Sequence, residues 1–209
     1  MEFREVFRER WFNISNSLSV LRILLIPLFY HYSIDYSEHP ADVRRLRILL
    51  LIIALATLTD FLDGFLARLL GQETRMGRYL DPISDKLVSI SSLVILTIFY
   101  GFPLWVLGFY IFREIGGVWM GTFLYFRRDI QGKPNIWGKV GVFNVALLVL
   151  WYVGRPWLST RFPEGHLLLH PEYSAYSLVL ILSIGMIVYW VTYWDIVFHP
   201  EKAVQKESR

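Results

Sequence analysis

Six stretches of this chain, 17–36, 45–69, 80–101, 103–126, 138–154 and 173–197, are predominantly apolar and near the length a bilayer crossing needs, about 20 residues. In hydrocarbon a backbone must satisfy its own polar groups, so each such stretch is restricted to a helix. The prediction is an all-α, polytopic membrane protein with six transmembrane helices. Composition agrees: 55% of residues are hydrophobic and 19% charged, against about 45–50% and 25% in soluble domains. With no internal repeat and no long linker, residues 1–209 read as a single membrane domain. Cysteine is absent, which removes disulfides and thiolate chemistry. A net charge of only +3 gives no reason to expect a nucleic-acid partner.

The ends carry orientation. Residues 1–12 place Phe3, Val6, Phe7, Trp11 and Phe12 at helical spacing among alternating charges, the pattern of a juxtamembrane amphipathic helix lying on the membrane surface. Residues 198–209 form a charged tail. Arg4, Arg8, Arg10, Arg75, Arg78, Arg127, Arg128, Lys133, Lys202, Lys206 and Arg209 gather on one side of the six-helix topology. Arg44, Arg45, Arg47, Arg155 and Arg161 gather on the other. The richer side is expected in the cytoplasm with both termini, although Arg44, Arg45 and Arg47 oppose that assignment. For a bacterial chain the membrane would be the cytoplasmic (inner) one.

Four carboxylates interrupt this apolar pattern. Asp60 and Asp63 fall at the end of the second stretch, and Asp81 and Asp85 open the third. Spacings of three and four put each pair on one helix face. Acids in membrane-grade sequence are costly and point to function. Four like charges at close range call for a cation. Carboxylate oxygens suit Mg²⁺ or Mn²⁺ rather than zinc, and four on two helices can hold two ions. In the expected topology both pairs lie near the cytoplasmic interface. A cation carrier or channel is the rival reading. It predicts acids spread through the membrane depth and helices broken mid-span, neither of which the sequence contains.

The motif Asp60-x2-Asp63-Gly64-x2-Ala67-Arg68-x8-Gly77-x3-Asp81-x3-Asp85 resembles the signature of the CDP-alcohol phosphotransferases without a departure. Residues 13–22, Arg113-Glu114-Ile115 and Gly138-Lys139-Val140 look like segments of the phosphatidylglycerophosphate synthase branch. The resemblance implies that two metal ions on Asp60, Asp63, Asp81 and Asp85 grip the diphosphate of CDP-diacylglycerol. It makes Asp85 the general base that takes the acceptor hydroxyl proton. It also carries over Asn16, Ser19 and Thr74 as nucleotide contacts. Gly64 and Ala67 keep the helix surface bare enough for a nucleotide to approach. Arg68 can take phosphate bidentately, and Gly77 lets the connecting loop meet the third helix closely. The implied reaction is direct attack of an alcohol on the β-phosphorus with loss of CMP.

Beyond the motif, Arg113 lies deep in the fourth stretch beside Glu114. It is either a structural ion pair or, with Lys139, a binder of the acceptor's phosphate. Arg22 lies a turn into the first stretch, either snorkelling to the interface or serving the site. Asn16 and Ser19 have a helix cap as their plainer reading. The expected acceptor is sn-glycerol 3-phosphate. Phosphatidylglycerol, as in a CDP-dependent cardiolipin synthase, and inositol phosphate are the alternatives. Gly117 and Gly121 have a helix-packing spacing, and a homodimer surrounded by membrane lipid is the expected assembly.

Overall fold

A computed structural model describes residues 14–69, 75–128 and 136–198, without the side chains of 14, 15, 61, 63–69, 75–81, 124–128 and 195–198. The described residues are all-helical, with no strand. The long helices are α1 (Ile14–Glu38), α2 (Val43–Leu69), α3 (Arg75–Phe99), α4 (Leu104–Arg128), α5 (Ile136–Leu158) and α6 (Glu172–Phe198). A single 3₁₀ turn, Leu167–Leu169, precedes α6. Each helix contains most of one apolar stretch and usually runs a few residues past it. The surface helix expected over 1–12 and the tail beyond 198 lie outside the described residues.

Four of the helices hold spans long and apolar enough to cross a membrane: Asn16–Glu38, Pro82–Phe99, Ile136–Leu158 and Glu172–Trp194. The other two long helices are interrupted by charges: Arg44, Arg45, Arg47 and Asp60 on α2, Arg113 and Glu114 on α4. The outward surface is that of a membrane protein. Leu24, Ile98, Phe112, Phe143, Leu180 and Val191 are each more than half exposed, a distribution that water would penalise and lipid does not.

The chain divides into two compact units, 1–102 with 149–171, and 103–148 with 172–209. In the first, α1 packs along both α2 and α3. Its buried stripe is Asn16, Ser19, Arg22, Leu25, Phe29, Ser33 and Tyr36, a run of three- and four-residue steps that keeps one helix face inward. The first three positions are polar or charged and most of the rest are large and apolar. So the helix offers a polar end and a packed end.

Side-chain contacts fix the relative directions of the helices. Arg22 meets Asp60 while Asp35 meets Arg45 at 2.9 Å, so α1 and α2 run antiparallel. Arg22 meets Asp85 while Tyr30 meets Phe99 and Tyr36 meets Tyr100, so α1 and α3 run parallel. The polar end lies at Arg22. The aromatic end lies about 20 Å further along α1, from its rise per residue.

The α1–α2 turn is built by Asp42. Its carboxylate accepts from the backbone N–H of Arg44 at 2.8 Å, capping α2, and pairs with Arg45. Of the three arginines that oppose the sequence-based orientation, Arg45 has its guanidinium paired with acids, Asp35 of α1 and Asp42 of the turn. At the far end of α3, Gly101 takes φ 74°, and the N–H groups of Tyr100 and Phe102 both donate to the Leu96 carbonyl. That left-handed residue stops the helix.

In the second unit α4 packs on α6, with Met120 and Tyr193 buried among Phe123 and Tyr189. Trp105 stacks on Tyr176 at the other end, so these two helices run parallel. Helices α5 and α6 run antiparallel: Asn144 donates to the Ser177 hydroxyl at 3.2 Å, and Gly141 lies against Leu182.

Removing the cap of α2 by Asp42→Ala is expected to lower stability by about 1 kcal/mol. A reduced thermal midpoint of the detergent-solubilised protein is the measurement, and an unchanged midpoint would deny the cap that role.

Candidate active site

The site begins with a cation that the surrounding chemistry should exclude. Arg22 stands two turns into a membrane-grade helix, and only 2% of its side chain is exposed. An unpaired guanidinium there would be heavily penalised. Among the described residues it is instead paired with two acids. Its NH1 nitrogen lies 2.8 Å from Asp60 Oδ1 and also donates to Asp85 Oδ1. One carboxylate comes from α2 and one from α3, and both are about half exposed. Two oxygens sharing one nitrogen are separated by no more than about 6 Å.

Asp60 of α2 and Asp85 of α3 meet on α1, the helix that packs along both. Arg22 lies behind the pair on the buried side, and the carboxylates keep an open side. The snorkelling reading of Arg22 fails: its side chain points into the bundle. Arg22 continues the three-residue rhythm of Asn16 and Ser19, but that rhythm only marks one helix face; it does not say whether the face is buried or open.

Asn16 and Ser19 are 5% and 0% exposed and occupy the same inward stripe as Arg22. Ser84, fully buried, precedes Asp85 on α3, and Ser89 donates to the Asp85 carbonyl at 2.8 Å. Asp63, Gly64, Ala67 and Arg68 lie on the last two turns of α2, and Gly77 and Asp81 on the first two turns of α3. Their side-chain placement is outside the described residues, as is Thr74 altogether. α3 begins at Arg75, so Asp81 and Asp85 lie inside the helix rather than at its opening, with Pro82 between them.

No group of three metal-ligating side chains occurs among the described residues, and that set omits Asp63 and Asp81. The donors that are described suit a hard divalent cation: two half-exposed carboxylates, gathered within the span that one or two ions bridge. Arg113 and Lys139 belong to the second unit. Arg113 pairs with Glu114. Lys139 is exposed in the first turn of α5.

The motif to which these convergent acids belong resembles that of a class of membrane proteins, phosphoryl-group transferases that work on lipid-linked nucleotides. The pattern of the CDP-alcohol phosphatidyltransferase family matches residues 12–198, and the chain belongs to that family. It is 38% identical over 140 residues to a CDP-diacylglycerol–glycerol-3-phosphate 3-phosphatidyltransferase of Aquifex aeolicus, covering 66% of this chain and 74% of the relative. A Bacillus subtilis protein of the same name is 31% identical over 150 residues, covering 66% and 77%. A probable phosphatidylglycerophosphate synthase of Mycobacterium tuberculosis is 33% identical over 143 residues, covering 68% and 66%.

Ser84→Leu should push a larger side chain into closed space beside Asp85. The expected loss is about 1–3 kcal/mol, read as a lower thermal midpoint. Retention of the parental midpoint would mean that α3 yields freely at this position.

Proposed function

We propose that this chain transfers the phosphatidyl group of CDP-diacylglycerol to sn-glycerol 3-phosphate, forming phosphatidylglycerol phosphate and releasing CMP. The observation that carries the reading is the convergence of Asp60 and Asp85, from two helices, at the positions the family motif gives to its acids. The acceptor is drawn from the names of the Aquifex, Bacillus and Mycobacterium relatives. Membership of the family sets the cation-carrier reading aside.

Mg²⁺ ions, held by Asp60, Asp63, Asp81 and Asp85, would neutralise the charge that develops on the diphosphate. Asp85, half exposed and anchored through Arg22, would accept the acceptor's hydroxyl proton; fixed position rather than basicity would supply its advantage. Asn16 and Ser19 line the same inward stripe and would hold the nucleotide, with Gly64, Ala67, Arg68, Thr74 and Gly77 completing that side. Arg113 and Lys139 would bind the acceptor's phosphate, Arg113 sharing its charge with Glu114. All six long helices would cross the membrane. The antiparallel α1–α2 and α5–α6 pairs and the parallel α1–α3 and α4–α6 pairs support alternating passes. Both termini and the acids would face the cytoplasm, with residues 1–12 on the surface and a homodimer as the assembly.

Asp85→Asn is expected to cut CMP release from CDP-diacylglycerol by roughly 10²–10⁴-fold while the thermal midpoint is kept; a near-parental rate would remove the assigned role. Arg113→Ala should raise KM for sn-glycerol 3-phosphate about tenfold and leave KM for CDP-diacylglycerol nearly unchanged. Equal movement of both constants would exclude an acceptor-phosphate role. Offering sn-glycerol 3-phosphate, phosphatidylglycerol and inositol phosphate separately, with CMP as the readout, decides the acceptor.

A further inference from the structure

We infer that Arg22 is a positioning residue: a built-in cation that holds the Asp60 and Asp85 carboxylates together whether or not a divalent ion is bound. The inference rests on the metal-dependent reading above only for its Mg²⁺ arm. Three observations on this chain support it. The Arg22 side chain is 2% exposed, so its charge is directed into the bundle and away from the membrane surface. It contacts both acids through the same nitrogen, NH1, and those acids belong to different helices. The acids themselves are 49% exposed, so the buried guanidinium reaches them without enclosing them.

Two carboxylates drawn together without a countercharge repel, and a helix pair carrying them would separate or take up protons. Arg22 supplies the countercharge from a third helix that packs along both. A fixed single charge offsets part of the repulsion and leaves the pair with net negative charge. A divalent ion can then bind to acids already in place, without first having to assemble them. Arg22 thereby couples the packing of α1 to the geometry of the acid pair. An ordinary apolar residue on the stripe, such as Leu25, has no such link.

The test compares thermal midpoints of the full-length detergent-solubilised protein in EDTA and in millimolar Mg²⁺. The variants are Arg22→Gln, Arg22→Lys and, as a packing control, Leu25→Ala. In EDTA, Arg22→Gln is expected to lower the midpoint by roughly 6–20 °C, as losing one partner of a buried ion pair does. Mg²⁺ should restore most of that loss, giving a larger Mg²⁺-induced rise than in the parent. Arg22→Lys should fall between, and Leu25→Ala should lose the same amount in both conditions. In EDTA, adding Asp60→Asn and Asp85→Asn to Arg22→Gln should regain stability, because the unbalanced charges are gone. A deficit in Arg22→Gln that is equal with and without Mg²⁺ and is not relieved by the two asparagines would overturn the inference. If Mg²⁺ shifts no protein, the parent included, the metal reading fails, and the asparagine arm alone decides the role of Arg22. Should Arg22→Gln not fold, Arg22→Lys is judged by the same criteria.

Discussion

A guanidinium inside an apolar bundle must find negative charge, and that requirement organises the described half of the site. Arg22 is buried on α1, and its partners are Asp60 on α2 and Asp85 on α3. Neither helix could rotate or slide far without leaving a desolvated charge unpaired. The ion pairs therefore fix register as much as they contribute energy. Packing at the other end of α1, where Tyr36 meets Tyr100 and Arg45 meets Asp35, holds the same three helices by aromatic contact and a second ion pair.

The two ends of the first unit do different work. Toward Tyr36 the stripe is large and closed. Toward Asn16 it is polar and bounded by acids that remain half open. A membrane protein that handles a substrate with a soluble nucleotide and lipid tails needs such a boundary, since the charged diphosphate has to be met without being carried into hydrocarbon. Under the proposed function, half-exposed carboxylates backed by a buried arginine would meet that need, with their position set from within.

The helices were legible before any coordinates. Runs of apolar residues near bilayer length leave the backbone one way to satisfy its hydrogen bonds, so α1–α6 follow the six stretches closely. The acid motif was equally legible, because its spacing places each pair on a helix face regardless of tertiary context. Boundaries were less so. α3 starts at Arg75, ahead of the apolar run and with Pro82 inside it, because a polar turn can extend a helix beyond the hydrocarbon where hydropathy gives no signal. Pairing was likewise illegible: Asp35 and Asp42 both engage Arg45, a contact that only the α1–α2 turn creates.

Sequence by itself determined the class of fold, the chemistry of the donors and the family, because all three depend on residue type and on spacing along one helix. Tertiary structure decided which helix brings the acids together. The direction in which Arg22 points depends on how α1 rolls against its neighbours, and a one-dimensional pattern near a segment end fits a snorkelling arginine and a buried one equally well. Only the packing of α1 along both α2 and α3 puts one nitrogen within reach of two carboxylates that lie 25 positions apart in the chain.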